Sequence, residues 1–165
     1  WITFGARVWG PTIAHPQEVA MTVPSSSAEH APALEARPEM PGETLSRVAM
    51  TSAALELIRR LLPIHGPLMF HQSGGCCDGS APMCYPAGDF TTGAADVLLG
   101  TFALPAEGDQ AAVEIPFWMS AAQFEYWKHT HLTLDVVDGR GSGFSVEVPE
   151  GKRFLIRSRL MAGSG

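Results

Sequence analysis

Residues 51–79 read Thr51-Ser-Ala-Ala-Leu-Glu-Leu-Ile-Arg-Arg60-Leu-Leu-Pro-Ile-His65-Gly-Pro-Leu-Met-Phe70-His-Gln-Ser-Gly-Gly75-Cys-Cys-Asp-Gly79. The way this stretch divides sets the fold class. Thr51 or Ser52 offers a side-chain oxygen to the first helical amides. Ala54, Leu55, Ile58, Leu61 and Leu62 then recur on one face, with Glu56, Arg59 and Arg60 on the other. This predicts a helix through Leu62 that Pro63 ends. His65-Gly66-Pro67 is a turn signal, and Leu68-Met69-Phe70-His71 has the length and composition of a short buried strand. Ser73 to Gly79 carries three glycines, so a loop is expected from there to about Gly88.

Downstream, strands are expected at Asp96 to Phe102 and at Glu114 to Met119, with a turn at Glu107-Gly108-Asp109. Ser120-Ala-Ala-Gln123 has the spacing of a capping box, which opens a short helix from Ala121 to about Lys128, Phe124 and Trp127 facing inward. His131 to Val137 alternates polar and apolar side chains with the period of a half-buried strand. After the connection Asp138 to Gly143, two strands are expected at Phe144 to Val148 and Arg153 to Leu160, around the turn Pro149-Glu150-Gly151. The order helix, strands, helix, strands is that of an α+β fold: a single compact domain with a mostly antiparallel or mixed sheet and two short helices. That domain is expected over 51–162. Residues 1–50 hold six of the thirteen prolines and the run Ser25-Ser26-Ser27, and are expected to form a disordered or extended arm. Trp1 is no translation start, so the chain reads as a fragment or as carrying an upstream extension, with Met21 and Met50 as candidate starts. No signal peptide is read in the first twenty residues, and a cytoplasmic location is the default expectation.

Of 165 residues, 45% are hydrophobic and 17% charged, which excludes global disorder. No apolar run approaches the roughly 20 residues of a membrane-spanning helix, so a membrane partner is not expected. Eleven basic against seventeen acidic residues give a net charge of -6, without the basic face that nucleic-acid binding needs. Three cysteines are too few for a disulfide-stapled scaffold, and all three fall between positions 76 and 84.

The segment with chemistry runs from His71 to Pro86. Thiolates bind soft or borderline metals, and Gly74, Gly75 and Gly79 let the backbone bend tightly enough to aim several side chains at one point. Cys76, Cys77 and Cys84 are the candidate thiolate ligands, His71 the nitrogen ligand, and Asp78 an alternate or supporting ligand. The ion would be zinc or iron, or the group an iron–sulfur cluster, although the spacing is not that of a standard zinc site. Two other readings stay open. The cysteines can be core residues beside a tight bend, or one of them can be an activated nucleophile or redox centre with His71 or His129 as base. His129 and His131 lie two apart on the incoming strand and could face the same side as a metal pair, but a solvated or hydrogen-bonded pair is the stronger expectation. Gly141-Ser142-Gly143 reads as a hairpin turn.

The stretch Gly66 to Gly79, with Met83-Cys84-Tyr85-Pro86, Ser120 to Trp127 and Gly139 to Ser145, resembles the uncharacterised bacterial family called domain of unknown function 779, over about residues 51–160. The resemblance implies a small single-domain protein, often encoded beside aldehyde dehydrogenases, with no established activity; an aldehyde dehydrogenase partner follows only as its implication. The order of helix, strand, Gly74-Gly75-Cys76 and Ser142-Gly143-Phe144 also resembles the HesB-type (A-type) iron–sulfur carriers. Only Cys76 matches a ligand position there. Where those carriers place a closing Cys-Gly-Cys, this chain has Phe154-Leu-Ile-Arg-Ser-Arg159 and no thiol. The combined expectation is a metal- or iron–sulfur-binding accessory protein, more a binding protein than an enzyme. The alternatives are a thiol-dependent enzyme or redox protein and a non-catalytic partner of a dehydrogenase.

Overall fold

The computed structural model describes residues 30–161 apart from Cys76 and Ser142. In chain order the elements are β1 (Pro32–Glu35), β2 (Arg37–Pro38), β3 (Val48–Thr51), α1 (Ser52–His65), β4 (Leu68–Gln72), β5 (Met83–Pro86), β6 (Asp96–Leu104), β7 (Val113–Ser120), α2 (Ala121–Trp127), β8 (Thr130–Asp138), a 3₁₀ turn (Val148–Glu150) and β9 (Lys152–Leu160). They form an α+β domain with a four-stranded sheet, β1-β3-β8-β9, and a five-stranded sheet, β2-β6-β7-β4-β5. Both sheets are mixed: β3 pairs parallel to β8 and β4 parallel to β7, and the other pairs are antiparallel.

One buried cluster draws side chains from both sheets and from α1. Phe70 joins the layers, its ring stacked at 5.9 Å on Phe117 of its own sheet and edge-on at 5.1 Å to Phe154 of the other. Each such ring contributes about 1.5–3 kcal/mol by leaving water. Gly100 of β6 packs tightly against the β1–β2 connection and β3: a Cβ there would stand 2.9 Å from the Ala36 Cβ and from the Arg37 carbonyl and 3.4 Å from Val48.

Thr51 caps α1, its hydroxyl accepting the Ala54 amide at 3.2 Å, and Ala54, Leu57, Ile58 and Leu61 are buried. The helix runs past Pro63 to His65 rather than stopping at Leu62. Pro63 lacks the N–H that would bond the Arg59 carbonyl, and that carbonyl is taken instead by the Gln110 side chain at 2.8 Å.

Three other expectations are corrected. Residues 32–51 are not an arm: β1, β2 and β3 are integral to the sheets, so the domain begins well before Thr51. Residues 1–29 lie outside the described residues. The expected loop from Ser73 to Gly88 contains a strand, β5, held by antiparallel pairing with β4. Phe144 to Val148 is not a strand, because Gly143 turns the chain with φ +58° and the 3₁₀ turn follows. Phe144 is 94% exposed, whereas Ser145 and Glu147 turn inward and are buried. Among the described residues no helix is long and apolar enough to cross a membrane.

Candidate functional site: the loop between β4 and β5

β4 lies between β7 and β5, and its alternation decides which residues can meet. Phe70 pairs with Cys84 and His71 with Met83. Successive strand residues point to opposite faces, so Cys84 faces the core with Phe70 while His71 lies on the other face of the sheet. The two cannot share a centre.

Cys84 is fully buried within the hydrophobic cluster. Its backbone N–H donates to the Ser145 hydroxyl at 2.8 Å and its carbonyl accepts from Val146 at 3.0 Å, so residues 145–146 cover this side of β5. The Ser145 hydroxyl donates in turn to the Glu147 carboxyl. Burial pushes the Cys84 thiol well above its ordinary value, with the nearby Glu147 charge adding to the effect. Burial likewise raises Glu147, against the hydrogen bonds it accepts.

His71 is 3% exposed, with both ring nitrogens engaged. Nδ1 lies 2.7 Å from the Ser73 hydroxyl and Nε2 lies 2.7 Å from Asp96 Oδ1. Ser73 is two residues beyond His71, which keeps it on the same side of the chain. Asp96 opens β6, two strands away, and reaches His71 over β7: His71 is in register with Trp118 and Asp96 with Ser120, all on one face. The His71 hydrogen bond holds the Asp96 carboxyl below its usual range, with help from the Gly93 amide. Phe90 packs against the imidazole at 4.3 Å and Tyr85 stacks on Phe90 at 5.1 Å.

The glycine loop is tied down at both ends. Near its start, the Trp127 indole N–H donates to the Gly75 carbonyl at 3.2 Å and the Gln72 side chain donates to the Gly74 carbonyl. Gly75 must be glycine, since its φ is +97° and a Cβ would collide with the Ser80 side chain. At the other end the loop covers the open edge of β9: Gly79 N–H donates to Ile156 O at 2.8 Å and Ile156 N–H to Ser80 O at 2.9 Å. Asp78 Oδ1 accepts from the Ser158 amide at 2.8 Å and from its hydroxyl. Cys77 is exposed on this tethered loop.

The expected five-ligand centre is therefore not assembled by the described residues. Cys84 is in the core, His71 spends both nitrogens on Ser73 and Asp96, and Asp78 anchors β9. Among the described residues no three His, Cys, Asp or Glu side chains are grouped to hold a metal. Cys76 lies outside the described residues. His129 is exposed, while His131 is buried with Nε2 2.9 Å from Glu35. A groove of about 650 Å³, lined by residues including Met40, Arg47, Phe124 and Met161, contains no described residue of the thiol loop.

The profile of the domain of unknown function DUF779 matches residues 57–160, more than half of the chain and the whole of this loop. The chain belongs to the DUF779 family. No curated protein and no solved structure matched it, so the likeness to HesB-type carriers is not confirmed. In this DUF779 protein, sequence reasoning missed Ser73 and Asp96. The first was legible as a hydroxyl two residues from a histidine at a strand end. The second had no local signal, because β7 intervenes.

Proposed function

We propose that the protein is a thiol-dependent accessory protein whose working group sits on the loop between β4 and β5, at Cys77 with its sequence neighbour Cys76. The observation that carries this reading is the sorting of the thiols: Cys77 is exposed on a tethered loop, whereas Cys84 is wholly buried. The thiolate is the reacting form of cysteine, so an accessible thiol on a fixed loop can add to an electrophile or exchange with a disulfide, while a buried one is inert. The aldehyde metabolism implied by the family resemblance supplies electrophiles of a suitable class, since a thiol adds across an aldehyde carbonyl to give a hemithioacetal. A metal or iron–sulfur centre finds no support in the placement of the four described donors, His71, Cys77, Asp78 and Cys84.

The test is iodoacetamide labelling of native protein with peptide mapping between pH 6 and 9. Cys77 is expected to label and Cys84 to stay unmodified, with Cys77→Ser losing the corresponding adduct and keeping its fold. Stoichiometric zinc or iron after anaerobic purification, released by Cys77→Ser and shielding the thiols until a chelator is added, would replace this reading with the metal one.

A further inference from the structure

The imidazole at the end of β4 has a hydroxyl on one nitrogen and a carboxylate on the other, an arrangement that the thiol reading does not use. The geometry points to Ser73 as the nucleophile of an esterase-type site, with His71 as its general base, acting on esters of carboxylic acids.

The proton positions follow from the partners. An ionised carboxylate only accepts, so the Asp96 carboxylate at 2.7 Å takes the Nε2–H of His71. That tautomer leaves a lone pair on Nδ1, and the Ser73 hydroxyl, 2.7 Å away, donates to it. This is the logic of an activated nucleophile: hydroxyl, base, and a third group that orients the base. The ring is fixed further by Phe90 at 4.3 Å. Burial differs sharply along the chain of groups. His71 is 3% exposed, whereas Ser73 is exposed at the point where the strand becomes the glycine loop. The exposure of Ser73 leaves its side chain within reach of a substrate.

In the acylation step Ser73 Oγ attacks the ester carbonyl carbon and its proton passes to His71 Nδ1, while the carbonyl electron pair moves onto oxygen. Collapse of the tetrahedral intermediate re-forms the carbonyl and breaks the bond to the alcohol, which leaves with the Nδ1 proton. Water then attacks the acyl-Ser73 by the same route, releasing the carboxylic acid and restoring the hydroxyl. No oxidant, reductant or co-reactant other than water is needed. Asp96 touches neither ester nor nucleophile. It is a positioning residue, holding the tautomer and stabilising the imidazolium formed in transit.

The experiment treats full-length protein, its accessible thiols first blocked with iodoacetamide, with a fluorophosphonate probe and separately with p-nitrophenyl acetate. A single adduct on Ser73 is expected, absent in Ser73→Ala, which changes an exposed side chain and should melt as the parent does. Ester turnover should fall by at least about 100-fold in Ser73→Ala and in His71→Gln, removal of a nucleophile or base being worth at least that. Asp96→Asn should lower kcat with KM little changed and leave the burst amplitude intact, a pattern that a loss of folded protein does not give. Absence of an adduct on Ser73 in folded protein, or equal turnover in Ser73→Ala, overturns the proposal. Because the accessible thiols are blocked throughout, neither result bears on the reading of Cys77.

Discussion

Alkylation of Cys84 in the native protein should be slower than in the unfolded chain by a factor of about 5 × 10³ or more. The thiol is fully buried, lies opposite Phe70 in the register, and sits in a cluster to which both sheets contribute. A peel-away route through the sheet margin is obstructed, because residues 145–146 bond to both the N–H and the carbonyl of Cys84. Reaction then requires opening of the domain, and a domain of this kind is stable by at least about 5 kcal/mol. At 1.36 kcal/mol per decade, that energy gives a protection near 10^3.7. The raised pKa of the buried thiol acts in the same direction for any reaction without opening. The assay is a time course with iodoacetamide at pH 8, read by peptide mass spectrometry, comparing native protein with protein in denaturant. If Cys84 labels natively within tenfold of its denatured rate while Cys77 shows nothing special, the division of the thiols into a surface one and a core one is wrong.

Thr51→Val should lower stability by about 2–3 kcal/mol and Tm by about 5–10 °C in calorimetry, since it removes the helix cap and a hydrogen bond to the buried Asp135 carboxylate. A drop under 2 °C would show that neither bond matters. Glu147 has its folded pKa raised by burial, so its contribution to stability is complete below the unfolded carboxyl value and is lost as pH rises through the folded one. Glu147→Gln is therefore expected to match wild type near pH 4 and exceed it at pH 8 in thermal melts; a gap that widens toward acid would refute this sign. Asp78→Ala should speed hydrogen exchange at the Ser158 amide by about tenfold, one hydrogen bond being worth roughly 1–1.5 kcal/mol, while Tm moves by less than about 3 °C because the carboxylate is exposed. An unchanged exchange rate would mean that the loop is held to β9 without it.

The amino-acid sequence by itself determined the elements whose signals are local. The Thr51 cap with the apolar face of α1, the buried run of β4, the alternation in β8 and the Ser120 cap of α2 all depend on spacings of a few residues, where side chains meet their own backbone. It also marked His71 and the glycine loop, because three glycines in seven residues break a strand and a histidine at a strand end stands out. Tertiary structure alone decided the rest. β1 to β3 hide in a proline-rich stretch and β5 within an apparent loop, since strands this short are specified by the partner they pair with. Which groups meet at the site was equally out of reach: the Phe70–Cys84 register sends His71 and Cys84 to opposite faces, and the fold lays β7 between His71 and Asp96 while keeping both on one side. Spacing along the chain carries local hydrogen bonding, but which face a side chain takes in a mixed sheet depends on strands that the chain reaches only after it has folded.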